Sequence, residues 1–157
     1  MILRYLFFFL IVLPIHSCTN SIKETPKAVL VVHGGAGWIS KGSFSDSMEK
    51  AYKKAIETSL LKGQKIIQNG DSSVNAVQIA IEHLEDSPLF NAGKGSVFTH
   101  NETNEMDSAI MDGSTNRAGA VTGIKSIKNP IQAARAVMDS SVHVFLSGKG
   151  AEEFAIE

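Results

Sequence analysis

The chain has 157 residues, of which 43% are hydrophobic, 7% aromatic and 20% charged, and its formal net charge is −1. This profile is typical of one ordinary globular domain. Because phosphate binding requires clustered Lys and Arg, a near-neutral charge without a basic block argues against nucleic acid as a partner. The same balance excludes an acidic solvating tail.

The first 17 residues differ from the rest of the chain, since they are mostly apolar and carry a single charge, Arg4. An unbroken apolar run from Tyr5 to Leu13 is followed by Pro14 and is too short to span a membrane. A basic residue near the start and an apolar middle are typical of a secretory signal peptide. We therefore predict a signal peptide over residues 1–17.

Cys18 is the single cysteine of the chain and directly follows the predicted leader. An aliphatic Ile15 and a small Ser17 before it resemble a bacterial lipobox, although the bulky His16 departs from that motif. In this interpretation Cys18 is acylated, and residues 18–27 form a flexible arm that anchors a periplasmic or secreted domain to the membrane. The alternative is cleavage near Ser17 that leaves a free thiol. No disulfide can form within the chain, so a packed core must stabilise it.

The first predicted elements are a strand and a long helix. Residues 28–32 form a short apolar run rich in valine, which predicts a buried strand. The run ends at residues 33–37, where three glycines indicate a tight or closely packed backbone. Apolar residues at helical spacing from Met48 to Ser59 predict a helix that continues to a stop at Asn69-Gly70.

The remaining elements alternate between strands and helices. Asp71 is the predicted N-cap of a second helix, which ends before Pro88. Asn129-Pro130 predicts the start of a further helix. Strands are predicted at residues 96–99, 105–112, 118–124 and 142–146, and a last helix begins at residues 150–157. Two consecutive hairpin-like strands predict an antiparallel or mixed sheet covered by helices.

Motifs for phosphate and dinucleotide binding are absent from the sequence. Gly95 separates Lys94 from Ser96, so this segment is not a Walker A loop, and no G-x-G-x-x-G opens a helix. His33-Gly34-Gly35 is similar to the oxyanion loop of esterases, but no G-x-S-x-G pentapeptide accompanies it. We therefore interpret His33 as a histidine bonded to backbone groups at a strand end.

The acidic residues offer one candidate site, because Glu105 and Asp107 would share one face of a strand and could act as an acid/base pair. The preferred alternative is that they lie on a solvated face or accept loop N–H groups. Asp112-Gly113 is interpreted as a turn. The histidines at positions 83, 100 and 143 lack the spacing of a zinc site. These residues alone do not assemble a catalytic set.

Three longer segments together resemble the N-terminal half of the plant-type L-asparaginase and isoaspartyl peptidase family, a branch of the N-terminal nucleophile hydrolases. The segments are VVHGGAG at residues 31–37, LEDSPLFNAGKGSVFT at residues 84–99 and EMDSAIMDG at residues 105–113. Residues 118–121 and 147–152 also fit, so the resemblance extends from about Ala28 to the last residue. The related glycosylasparaginases fit less well through residues 88–95.

The resemblance implies an α/β (α+β) fold, the four-layer αββα sandwich of this hydrolase class, of which residues 28–157 would be the N-terminal, α-subunit half. It also implies a precursor that cuts itself and frees a threonine whose α-amino group is its general base. That threonine hydrolyses L-asparagine and isoaspartyl dipeptides, and an oxyanion hole stabilises the intermediate. No organic cofactor is implied.

The family's nucleophile lies in a Gly-Thr-Val-Gly segment, and these 157 residues contain no such segment. Only Thr122 has a neighbouring glycine, and it falls where the family has an interior strand. The threonines of the chain are Thr19, Thr25, Thr58, Thr99, Thr103, Thr115 and Thr122. We therefore predict that the chain alone is inactive, and that it binds a small-molecule substrate only together with the other half. The alternative is a non-catalytic, membrane-tethered binding or structural module.

Supporting parts of the family's site are present by resemblance. Asn91 corresponds to an asparagine that helps to position the nucleophile, and Gly34 and Gly35 would lie close to it. The loop that starts at Leu84 resembles the family's alkali-ion loop, in which main-chain carbonyls surround a structural Na⁺. Backbone oxygens suit such a hard cation. The corresponding carbonyls here belong to Leu84, Glu85, Ser87, Phe90, Ala92 and Lys94.

Overall fold

The computed structural model describes residues 28–37 and 40–156. The predicted signal peptide (1–17) and arm (18–27), with Cys18, lie outside the described residues. The helices are α1 (Asp46–Gln68), α2 (Ser73–Glu85), α3 (Pro130–Ser140) and α4 (Gly148–Ile156), with a short 3₁₀ turn at Gly93–Gly95. The strands are β1 (Met106–Asp112), β2 (Arg117–Ile124) and β3 (Phe145–Ser147).

Helices α1 and α2 form a closely packed antiparallel pair. α1 ends at Gln68 just before the predicted Asn69-Gly70 stop, where Gly70 adopts a φ of +80°. Ser59 is fully buried and donates a hydrogen bond to the Ala80 carbonyl at 2.7 Å. A Cβ atom at Gly63 would lie 2.9 Å from the Ala76 carbonyl oxygen. Small side chains therefore let the two backbones approach.

The predicted N-cap of α2 is wrong by one residue. The Ser72 hydroxyl accepts the Asn75 N–H at 3.2 Å and caps the helix. Asp71 lies just before it, and its carboxylate accepts the Ser72 N–H at 2.6 Å and the Asn75 side-chain amide at 2.8 Å. Both residues can cap, so only the backbone geometry decides between them.

The three strands form one mixed sheet in the order β1-β2-β3. β1 and β2 are antiparallel, with Ile110 opposite Gly119, whereas β2 and β3 are parallel, with Val121 opposite Leu146. This confirms the prediction of an antiparallel or mixed sheet covered by helices. β3 is shorter than the predicted strand at 142–146 because only residues 145–147 pair with β2, and α4 follows it directly.

The core lies on one face of this sheet. α3 packs across β1 and β2, and α4 packs against β2 and β3, while α2 contacts α3 and β1. The buried side chains at this interface include Ile110, Val121, Ile124, Ala134 and Val137. Helices thus cover one face of the sheet, and the mixed helix and strand content agrees with half of an αββα sandwich.

Two predicted strands are corrected by the structure. Residues 28–32 are not in a strand, and Val29 and Val31 are each 81% exposed, because no described segment pairs with them. Leu30 and Val32 are half-buried, so every second residue faces the protein.

The predicted strand at residues 96–99 contributes only one isolated bridge, between Phe98 and Asn104, because the turn that joins these two residues is too tight for a longer ladder. Among the described residues, no helix has the length and apolar content needed to cross a membrane.

Candidate functional site

A cavity of about 810 Å³ lies between the glycine-rich segment, the first half of α1 and the loop after α2. We call it the glycine-loop cavity. The T-shaped pair of Tyr52 and Phe90, with ring centroids 5.6 Å apart, forms part of its wall. Its lining residues are Gly34 to Gly37, Ser40 to Gly42, Phe44, Glu49, Tyr52, Lys53, Ile56 and Leu89 to Asn91.

His33 shapes the glycine-rich side of the cavity. Its ring nitrogen Nδ1 accepts a hydrogen bond from the Gly35 N–H at 3.1 Å, and Gly35 adopts a φ of +103° that favours glycine. A Cβ atom at Gly34 would lie 3.1 Å from Ile56 and 3.2 Å from Phe90. The interpretation of His33 as a backbone-bonded residue is therefore confirmed, but the segment before it is not a strand. Gly34 allows close packing.

Asn91 lies on the opposite side of the same cavity. Its side-chain oxygen Oδ1 accepts the Val97 N–H at 2.9 Å, which fixes the side chain on the loop. Its amide nitrogen donates no hydrogen bond to a described residue. The structure thus brings the three predicted supporting residues, Gly34, Gly35 and Asn91, to one cavity. Their role beside a nucleophile stays a prediction.

The described lining of the cavity contains no threonine. Its hydroxyl groups belong to Ser40 and Tyr52, and the Ser40 hydroxyl is 2.6 Å from the Ser43 hydroxyl rather than beside a base. Thr122, the one threonine next to a glycine, lies on β2 and donates to Asp107. Among the described residues, neither hydroxyl is hydrogen-bonded to a base that could activate it as a nucleophile.

The loop from Leu84 to Lys94 leaves three of the six carbonyls predicted to bind an alkali ion without a backbone hydrogen bond from a described residue. The carbonyls of Leu84, Phe90 and Ala92 accept N–H groups within the loop, whereas those of Glu85, Ser87 and Lys94 accept no backbone hydrogen bond from a described residue. A Cβ atom at Gly93 would lie 2.5 Å from the Glu85 carbonyl oxygen, and one at Gly95 would lie 2.2 Å from that of Phe90. The glycines leave room for carbonyls inside the loop.

Main-chain carbonyl oxygens carry no net charge, so ligands of this kind suit a hard monovalent cation. The described residues contain no group of three or more His, Cys, Asp or Glu side chains that could hold a metal ion. Main-chain carbonyls are therefore the candidate ligands that the resemblance implies, and the six-residue Na⁺ site stays a prediction.

The side chain of Glu85 is a feature that the sequence reasoning missed. It is 3% exposed, and its Oε1 accepts the Ile131 N–H at the start of α3 at 2.9 Å. Its Oε2 is buried and has no hydrogen-bond partner among the described residues. Burial raises the pKa of Glu85 to about 7, against the opposing effect of the Ile131 hydrogen bond. The sequence offered one signal for this feature. Glu85 lies at the carboxyl end of a predicted helix, where the helix dipole disfavours a negative charge.

The candidate acid/base pair does not form. Glu105 pairs with Lys125 at 2.9 Å, while Asp107 accepts Thr122 and the Gly123 N–H, the latter at 2.9 Å. Hydrogen bonding, first from Thr122 and then from Gly123, lowers the pKa of Asp107. The preferred alternative of a solvated face is therefore confirmed, although the N–H that Asp107 accepts belongs to β2 and not to a loop. The Asp112 turn is also confirmed, since its carboxylate accepts the Ser114 N–H at 2.9 Å.

Comparison with known families matches residues 26–157 to the family described as Asparaginase. This chain belongs to the asparaginase family. A Dictyostelium discoideum relative named for both isoaspartyl peptidase and L-asparaginase activity is 54% identical over 82% of this chain and 37% of its own length. The isoaspartyl peptidase of Escherichia coli and the plant-type L-asparaginase of Pyrococcus horikoshii are each 48% identical, over 82% and 80% of this chain.

This asparaginase-family chain spans about 40% of the length of the curated relatives that it matches. The family consists of hydrolases, and the matched region includes the glycine-rich segment, the loop after α2 and the β1–β2 hairpin. The predicted family is therefore confirmed, as is the fold class that it implies.

Proposed function

We propose that residues 28–157 supply the α-subunit part of a threonine-type hydrolase that acts on L-asparagine and isoaspartyl dipeptides. The observation that carries this proposal is the glycine-loop cavity, where Gly34, Gly35 and Asn91 meet and no described threonine is present. The matched family and the names of the relatives supply the reaction class. We infer in addition that the nucleophile lies outside residues 1–157 and that the chain alone is inactive.

In the proposed reaction, the hydroxyl of the external threonine attacks the side-chain carbonyl of the substrate, and its own α-amino group takes the proton. Collapse of the intermediate releases ammonia or the isopeptide-linked amino acid, and water then releases aspartate. The free amide nitrogen of Asn91 would orient the threonine, and Gly34 would lie close to it in the lining of the same cavity.

Exposed apolar surface supports the proposal that a further layer of structure packs against this chain. On the face of the sheet that carries no helix, Met111 is 61% exposed and Ala109 is exposed. Val29 and Val31 are exposed beside an unpaired backbone. Apolar side chains and unpaired strand-like segments of this kind favour association with another sheet.

A reconstitution experiment tests the proposed function. The chain is co-expressed with the part of the Escherichia coli isoaspartyl peptidase that follows its match to this chain, and release of ammonia from L-asparagine and of amino acid from an isoaspartyl dipeptide is measured. We expect activity only in the combination. Replacing Asn91 with alanine should lower kcat by about 100-fold. The matched control is Asn101→Ala, in the exposed turn between Thr99 and Thr103.

Two results would contradict the proposal in different ways. Ammonia release by the chain alone would show that residues 1–157 contain a complete catalytic set. A stable complex without activity would favour the non-catalytic module. Reading the coding DNA past codon 157 for a Gly-Thr-Val-Gly segment is an independent check on the source of the nucleophile.

We further propose that a structural Na⁺ occupies the loop of carbonyls from Leu84 to Lys94. When bound, the ion supplies positive charge that holds these oxygens at fixed positions. The chain's own contribution is the curvature given by Gly93 and Gly95 and the attachment of Asn91 to the loop through Val97. A rigid loop would keep the Asn91 amide directed at the cavity.

Export and membrane anchoring through Cys18 are proposed from the leader sequence alone. In a bacterial host, the chain should incorporate labelled palmitate, and the labelled protein should partition with the membrane fraction. Cys18→Ala should abolish the label, whereas Ser17→Ala should retain it because a small residue is kept before the cysteine. Label that persists in Cys18→Ala would contradict the anchor.

A further inference from the structure

Glu85 and Asp86 join the end of α2 to the beginning of α3. The carboxylate of Glu85 accepts the N–H of Ile131, the second residue of α3, at 2.9 Å. Asp86 pairs with Lys128 at 2.8 Å and accepts the Asn129 side-chain amide at 3.2 Å. Two consecutive residues therefore hold the start of a helix that follows more than 40 residues later in the chain.

The capping of α3 is unusual because the side chain of its N-cap residue, Asn129, takes no part in it, although the Asn129 carbonyl accepts the Gln132 N–H at 3.0 Å. Asn129 makes no side-chain hydrogen bond to the helix, and its amide donates to Asp86 instead. One N–H group of the first turn, that of Ile131, is instead bound by the buried Glu85 carboxyl from another helix, and Oε2 has no partner among the described residues. Burying a carboxyl is unfavourable unless its contacts compensate. The partial positive charge at the start of α3 supplies such a contact.

The main chain of Glu85 faces in the other direction, towards the loop of carbonyls. The ideal Cβ position of Gly93 lies 2.5 Å from the Glu85 carbonyl oxygen and 2.7 Å from its Cβ atom. The far side of the loop thus closes directly on Glu85. One residue contacts the loop interior through its backbone and α3 through its side chain, so the position of α3 and the shape of the loop depend on each other.

We propose that Glu85 is a positioning residue whose buried side chain couples the anchoring of α3 to the binding of an alkali ion in the loop from Leu84 to Lys94. Loss of the hydrogen bond to Ile131 frees the end of α2, and the Glu85 carbonyl then loses its fixed direction. Binding of the ion tightens the attachment of α3 by the same free energy, because coupling between two sites is reciprocal. The inference rests on the alkali-ion site proposed above.

The test measures how much an alkali ion stabilises the full chain. The melting temperature is followed by circular dichroism as NaCl replaces tetramethylammonium chloride at constant ionic strength, and bound ion is detected separately by ²³Na NMR line broadening. Glu85→Ala should raise the Na⁺ concentration for half-maximal stabilisation by about fivefold or more. Glu85→Gln keeps an oxygen acceptor for Ile131 and should stay within about twofold of the unmodified chain.

Glu82→Ala is the matched control. The Glu82 side chain also joins α2 to α3, through Gln132 at 2.9 Å, but it makes no hydrogen bond to the loop or to the first N–H groups of α3 among the described residues. This variant should lower the melting temperature equally with and without Na⁺. The NMR measurement keeps the test informative if Glu85→Ala melts too early for a titration.

Each outcome bears on a different claim. If the unmodified chain gains no stability or line broadening specific to Na⁺, both the ion site and the coupling fail. If it responds and Glu85→Ala responds equally, the coupling alone is wrong. If Glu85→Gln loses the response as fully as Glu85→Ala, the side chain acts through its charge and not through the hydrogen bond, which also overturns the proposal.

Discussion

The two faces of the β1–β2 hairpin differ sharply although their residues alternate along the same strands. On the helix-covered face, Ile110 is 6% exposed and Gly119 lies against the backbone of α3. On the other face, the next residue, Met111, is 61% exposed, and Asp107 pairs with Thr122 in solvent. The covered face therefore supplies the stability of the described part of the chain, whereas the open face retains apolar surface on which no described residue packs.

The largest expected effect comes from filling the closest contact on the covered face. A Cβ atom at Gly119 would lie 2.2 Å from the Ala134 carbonyl oxygen and 2.4 Å from the Met138 N, so Gly119→Ala must push α3 away from β2. We expect the free energy of unfolding to fall by about 3 kcal/mol. Ala109→Ser on the open face is the control and should change it by less than about 0.5 kcal/mol. Equal effects in urea denaturation would contradict the distinction between the faces.

Truncating one buried and one exposed apolar side chain to alanine should also distinguish the two faces. Val137→Ala removes buried methyl groups from α3 and should lower the free energy of unfolding by about 2 kcal/mol. Met111→Ala should have an effect of less than about 0.5 kcal/mol in the chain alone. In the reconstituted hydrolase, Met111→Ala should become clearly destabilising if a second sheet covers it. A thermal melt in which Met111→Ala stays neutral after reconstitution would show that the open face is not covered.

Glu85, at the end of α2, should make the stability of the chain depend on pH. Its pKa is raised from 4.5 to about 7, chiefly by burial, so the folded state binds the proton more tightly than the unfolded state. The stabilisation is complete below pH 4.5 and is lost as the pH rises through 7. The free energy of unfolding should therefore fall by up to about 1.4 kcal/mol per pH unit in this window.

Glu85→Gln isolates this dependence, because it cannot ionise. The difference between the unmodified chain and Glu85→Gln, measured by urea denaturation from pH 4 to 8, should decline with rising pH. His83 remains in both proteins and cancels; burial, followed by Lys62, lowers its pKa, so its own effect has the opposite sign. A difference that does not vary with pH would show that Glu85 does not titrate in this range.

Much of the fold could be predicted from sequence where one local signal decides. The Asn69-Gly70 stop, the Asn129-Pro130 start and the β1–β2 hairpin lie where the pattern placed them, because caps, turns and alternation act over a few residues. The strand at residues 28–32 was wrong, because strand formation requires a partner that no local pattern contains. The supporting residues were identified through family resemblance, and their meeting in one cavity required the structure.

The sequence by itself determined the family, the order of elements and which residues are apolar enough to form a core. Only the tertiary structure decided that the Glu85 side chain binds the first turn of α3 and that Gly119 lets α3 pack closely on β2. It also decided that helices cover one face of the hairpin and leave the other open. These features join residues far apart in the chain. Their energies depend on burial and on the direction of individual hydrogen bonds, which exist only after the chain has folded.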